Sequence, residues 1–191
     1  AMSPARIAVL VLLTGLALSG PSSALPGRDA LNAAKDAASG ALGELNAEIT
    51  VHTRTFVAEY STNDRYVIEA ARIAQRRSNS AQVRAFAATL AADARASESE
   101  LQRVLHSYNV DALPASGLDF RRRGMISELN TTPAITRRYL EQQVLAKTEQ
   151  RILLRRYAGS GKIAAVKRFA ERRLQQVDEL LSTLRHLQHG A

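Results

Sequence analysis

One short pattern occurs twice in this chain. Val83-Arg-Ala-Phe-Ala87 returns as Val166-Lys-Arg-Phe-Ala170, an offset of 83 residues, and the same offset places Phe56 on Tyr139 and Leu101 on Leu184. Around each copy the apolar residues recur at helical spacing. In the first they run through Val57, Tyr60, Val67, Ala71 and Ala74, then through Val83, Phe86, Ala87, Leu90, Ala94, Leu101, Val104 and Tyr108. In the second they run through Ile135, Tyr139, Val144, Ala146, Leu153 and Tyr157, then from Ile163 and Val166 to Leu184 and Leu187. Each copy is therefore a helical hairpin with a stripe that it cannot bury alone. No segment keeps up period-two alternation, so no sheet is expected. The pattern predicts an all-α fold: a four-helix bundle over residues 50–189, built from two duplicated hairpins joined by a long crossover with a short helix.

Local signals mark the joints. Ser78-Asn-Ser-Ala-Gln82 predicts the first hairpin turn, with Asn79 as N-cap and Gln82 at the reciprocal capping-box position. Asp111-Ala-Leu-Pro-Ala-Ser-Gly117 breaks the pattern, and a short amphipathic piece follows around Met125 to Leu129. Thr132-Pro133 then predicts an N-cap followed by Pro at the first helical position. Upstream, residues 25–49 are Ala-rich with weak helical spacing through Leu31, Ala38, Leu42, Leu45 and Ile49, and read as a linker or a loosely docked helix. Residues 1–24 have the charged, apolar and small-residue order of a secretory signal peptide, with Ser22 and Ala24 before the expected cleavage. The run from Ile7 to Leu18 is shorter than the about 20 residues a membrane span needs. A periplasmic location follows, peripheral to a membrane if the segment is kept as an anchor.

The chain has no Cys, so neither a disulfide framework nor a lipid-modified Cys is available. The formal charge of +8 is unevenly spread. Residues 25–120 carry 10 basic and 12 acidic side chains, residues 121–191 carry 15 and 6. Such asymmetry suits either a solvated face or an anionic partner. Arg121-Arg-Arg123 opens the basic half and is the candidate contact with an anionic surface.

Gly159-Ser-Gly-Lys162 invites a phosphate-loop reading, which its context opposes. A phosphate loop follows a strand, has a longer glycine spacing and ends in Ser or Thr, whereas here an Arg-rich helix precedes and Ile163 follows. In the duplication GSGK falls on the turn of the first hairpin, so it predicts an interhelical turn and no bound nucleotide. Nucleic acid is not an expected partner either. No Ser, His and Asp stand in a recognisable catalytic arrangement. No Glu-x-x-His exists for a carboxylate-bridged di-iron centre. His186 and His189 have i, i+3 spacing but sit beside the chain end, and His52 and His106 stand alone. No catalytic, cofactor-binding or metal-ligating residue, and no cofactor, is expected.

Phe56-Val57, Val83-Arg-Ala-Phe-Ala87, Asp93, Leu101 through Val110-Asp-Ala-Leu-Pro114, Tyr139-Leu140 and Phe169-Ala170 with Leu174 carry a resemblance. Together they resemble a bacterial family of exported proteins of unknown function, often labelled outer-membrane proteins, with a ferritin-like bundle. The resemblance covers about Phe56 to Leu187. Members of that family show an Asp-His pair in the second helix, a His after the Tyr-Leu motif and a further His in the last helix. The matching positions here are Asp93-Ala94, Lys147, and Leu174-Gln175 with Leu180, so all three histidines are absent. The resemblance carries no assigned activity; with the export signal and the lack of a catalytic arrangement, the leading expectation is a non-enzymatic protein of the cell envelope with an interaction, structural or stress-related role, its partner and oligomeric state unnamed by the sequence. Two alternatives are a ferritin-like metal-binding protein with a degenerate site and a binder of anionic envelope surfaces.

Asp64 interrupts the first apolar stripe, and the 83-residue offset lays it on Lys147. If the hairpins pack about a pseudo-twofold axis, Asp64 and Lys147 converge inside the bundle, with Asp93 near enough to join a buried polar network. The other reading has Lys147 reaching out to water and Asp64 solvated.

Overall fold

The computed structural model describes the backbone of residues 27–190 and the side chains of residues 52–190. The expected signal peptide lies outside the described residues. The chain divides into two compact units, Ala1–Gly40 and Ala41–Ala191. In the first, residues 27–40 are helical, where a linker or loose helix was expected. The second holds the rest of that helix and all the others. The helices are α1 (Gly27–Arg77), α2 (Ala81–Ser107), α3 (Phe120–Thr131), α4 (Ile135–Ser160) and α5 (Ala164–His189), and the described residues contain no strand. None of the described helices is long and apolar enough to cross a membrane.

The expected hairpins are present, α1 with α2 and α4 with α5. Because α2 ends at the opposite end of the bundle from the start of α4, the connection must travel the bundle's length. It does so along α1: Arg54 Nε donates to the Asp111 carbonyl at 2.8 Å, Ala115 N–H to Ser61 Oγ at 2.6 Å, and Arg77 to the carbonyls of Leu129 and Thr132. Asn109, at φ 49°, supplies the left-handed residue that turns the chain out of α2. Helix α4 then runs back antiparallel to α1, tied by Tyr66 Oη donating to Gln142 Oε1 at 2.7 Å and by a 2.7 Å bond between the Thr53 and Tyr157 hydroxyls. Asn63 Nδ2 donates to the Ala146 carbonyl at 3.0 Å. Residues 63 and 146 are equivalent under the 83-residue offset, so their contact marks the local twofold that relates the hairpins.

Two boundaries differ from the sequence reading. Helix α2 is capped by Ser80, whose Oγ accepts from Val83 N–H at 3.3 Å, and not by Asn79, so Gln82 is not at the reciprocal position. Ser78 also turns inward to a 2.7 Å hydroxyl bond with Thr136, which fixes the turn one residue later. Ser80→Ala is expected to cost about 1 kcal/mol, the usual value of such a cap, while Asn79→Ala costs less; urea unfolding of the two variants checks the order. At the start of α4, Thr132 is not the N-cap. It has the extended backbone favoured before proline and closes α3 through its N–H to the Glu128 carbonyl. Pro133 therefore precedes the helix, and Ala134 takes the cap position.

Helices α4 and α5 are joined through Gly161, Lys162 and Ile163, so the second half of GSGK lies in the interhelical turn, while Gly159 and Ser160 end α4. A Cβ at position 161 would overlap the ring and carbonyl of Tyr157. Glycine is thus required there by close approach to an aromatic ring, not by a phosphate.

The core has two apolar parts. One gathers Val67, Leu90, Leu129, Tyr139, Leu140 and Leu184, the other Phe56, Tyr60, Leu101, Tyr157, Phe169 and Leu181. Along α1, α2 and α4 the stripe is interrupted between them by a polar residue in each helix: Asp64, Ser97 and Lys147.

Candidate functional site

The interruption is the place where all four long helices contribute polar side chains to one centre. Asp64 and Tyr60 come from α1, Asp93 and Ser97 from α2, Lys147 and Gln150 from α4, and Arg173 from α5. Each sits on its helix's inward stripe: Tyr60 and Asp64 are one turn apart, as are Asp93 and Ser97, and Arg173 lies midway between Phe169 and Val177. Helical spacing alone delivers them to the interior.

Asp64 and Lys147 are both fully buried, at 0% exposure, which decides between the two readings of the sequence. They do not touch directly. Lys147 Nζ donates to Gln150 Oε1 at 2.8 Å, and Gln150 Nε2 donates to Asp64 Oδ1 at 2.7 Å. On its other side Lys147 Nζ lies 3.7 Å from Asp93 Oδ2. Arg173 completes the centre with a bidentate pair, its Nη1 and Nη2 donating to Asp93 Oδ1 and Oδ2 at 2.9 and 2.8 Å. Its Nε donates to Tyr60 Oη at 3.1 Å, and Tyr60 shares a 2.5 Å hydroxyl bond with Ser97. Gln176 accepts a further bond from Arg173. Two carboxylates and two cations make the ionised set neutral, the condition under which charge can be kept out of water.

The four charged groups experience this centre differently. Burial pushes the Asp64 carboxyl up to about 6, against the pull of Lys147, the bond from Gln150 and the charge of Arg173. Its Oδ2 has no partner with hydrogen-bonding geometry, although the Ser97 hydroxyl is near enough to favour the charged form slightly. Burial likewise lowers Lys147, and Asp64 and Asp93 oppose it. Asp93 is partly open, and although burial acts to raise it, the bonds and charge of Arg173 hold it below the usual carboxylate value. Arg173 loses solvation too, yet Asp93 and Tyr60 hold its proton more tightly than usual. Burial raises the Tyr60 phenol, leaving it a neutral donor and acceptor.

Of the residues the sequence singled out, Asp64, Asp93 and Lys147 come together. Arg121, Arg122 and Arg123 each have partners within the chain, while Arg121 and Arg123 stay exposed. Arg121 Nη2 donates to Glu149 at 2.6 Å, Arg122 pairs with Asp119 and Glu149, and Arg123 bonds the Leu118 carbonyl. His52 stacks on Tyr157 with ring centroids 5.5 Å apart, and His186 and His189 lie in the last turn of α5. Among the described residues no group of three or more His, Cys, Asp or Glu side chains is placed to hold a metal ion.

Sequence reasoning missed Arg173, Tyr60, Ser97 and Gln150. Arg173 reads as one of a series of paired arginines, yet it falls four residues from both Phe169 and Val177, the spacing of the buried face. The same test finds Gln150 between Ala146 and Leu154.

Fold and centre together define an all-helical bundle protein whose middle is cross-tied by buried ion pairs. The chain belongs to the family described as a domain of unknown function, DUF4142, which it matches over residues 32–187. Comparison with curated proteins and with solved structures found no match.

Proposed function

We propose that this chain is a non-enzymatic protein exported to the bacterial cell envelope. Its ferritin-like bundle acts through interaction or as a structural component, and its centre is closed by its own charged side chains. The observation that carries this reading is the position of Lys147. Its ammonium occupies the middle of the bundle at the place where members of the resembled family carry a histidine. With Arg173 it directs two positive charges at the carboxylates that a metal would need. A divalent cation placed between Asp64 and Asp93 would meet both at short range, so the donor set does not fit a transition metal. Nor is a general base or nucleophile free in this centre: Lys147 and Arg173 are engaged, and Asp64 is sealed from solvent.

The reading is tested on protein purified from its native compartment. Intact mass is expected to match a chain beginning at Leu25, and elemental analysis after dialysis is expected to find no stoichiometric transition metal. Retained stoichiometric metal would overturn the closed centre, and an unprocessed chain recovered from the cytoplasm would overturn export.

A further inference from the structure

On the outside of the bundle, a cleft of about 370 Å³ lies between α1, α2 and the crossover segment. Arg65 and Arg72 reach it from α1 and Arg95 from α2, so three guanidinium groups face two carboxylates, Glu69 and Glu98. The positive charge is incompletely used. Arg65 meets Glu98 only through Nη2 at 3.4 Å, and its Nε is buried without a hydrogen-bond partner. Arg72 and Arg95 make no hydrogen bond or ion pair among the described residues. The far wall is the crossover at Ser116 and Gly117, whose amides and hydroxyl make no internal hydrogen bond, and a Cβ at Gly117 would meet nothing within 4 Å. Donors thus converge from three elements on a space with too few acceptors. This happens in the half of the chain that is acidic overall, so it does not follow from bulk charge.

We propose that this cleft binds a phosphate group, either as free phosphate or as the headgroup of an anionic lipid. Guanidinium forks match tetrahedral phosphate oxygens with paired, charge-assisted hydrogen bonds. A singly charged phosphate would balance the surplus of one positive charge and supply the acceptors that Arg72 and Arg95 lack, with Ser116 and Gly117 lining the same cleft. The site is separate from the buried centre, and its failure would leave the proposed function untouched.

The test uses the full chain and two probes: inorganic phosphate in calorimetry, and co-sedimentation with phosphatidylcholine vesicles made with or without phosphatidic acid. Arg72 and Arg95 are exposed, so Arg72→Gln with Arg95→Gln should leave the unfolding midpoint unchanged. Binding is expected to weaken about tenfold or more in that variant and to be unchanged in Arg121→Gln. Substitution-sensitive binding of free phosphate assigns the site to a soluble ligand. Substitution-sensitive retention on phosphatidic acid vesicles without binding of free phosphate assigns it to a headgroup. Binding to neither probe, or binding that the double substitution does not weaken, overturns the proposal.

Discussion

Lys147→Met is expected to destabilise the bundle by about 3–5 kcal/mol at neutral pH, the usual cost of removing one partner from a buried ionic set. Methionine keeps most of the side chain's volume, so the loss is electrostatic and not a cavity. Without the ammonium, Gln150 Oε1 loses its donor and Asp64 loses the largest of the attractions that favour its charge. The cost should shrink as the pH falls toward about 6 and level off below it, because without Lys147 the Asp64 carboxyl takes up its proton above its native value of about 6 and ceases to be an unpaired buried charge. Urea unfolding of the variant across pH measures both features. A loss below about 1 kcal/mol would mean that Lys147 behaves as an exposed side chain.

The second large effect is a pH dependence with an unusual sign for a carboxylate. Asp64 ordinarily titrates at 3.8 and here at about 6, so between these values the folded protein holds a proton that the unfolded chain has released. Its contribution to stability is therefore complete below about pH 3.8 and is lost as the pH rises through about 6, a change of about 3 kcal/mol. Asp93 acts in the opposite sense. Arg173 holds it low, so its contribution is present above the usual carboxylate range and is lost as the pH falls through its folded value. Asp64→Asn keeps the shape and the acceptor for Gln150 but cannot titrate. The stability of the native protein relative to Asp64→Asn should fall by about 3 kcal/mol from about pH 4 to about pH 7, and a difference that stays flat would contradict the burial of a titrating Asp64.

Much of this arrangement is legible in the residues. The 83-residue offset gives the hairpins, their equivalence and the meeting of Asp64 with Lys147, because a duplicated chain packed about a twofold brings equivalent positions near its axis. The GSGK segment is identified as a turn by the same offset. What the offset does not reveal is Arg173, since its equivalent in the first hairpin is Leu90 and the duplication offers no charge to compare. Its role depends on facing Asp93 and Tyr60 across the bundle, which no single-helix pattern encodes. The cap at Ser80 was missed for a similar reason. Asn79 and Ser80 are both good caps, and the choice is made by Ser78 bonding to Thr136 on another helix. The arginines 121–123 look like a patch in sequence, but Glu149 and Asp119 draw two of them into ion pairs.

The central claim is that the middle of the bundle is held by a buried ionic network running from Asp64 through Gln150 to Lys147. A double-mutant cycle with Asp64→Leu and Lys147→Met, read by denaturant unfolding at neutral pH, tests it most directly. The network predicts strongly non-additive losses: each single variant leaves a charge behind, and the double variant recovers more than about 1 kcal/mol relative to their sum. Additive losses, each below about 1 kcal/mol, would contradict it.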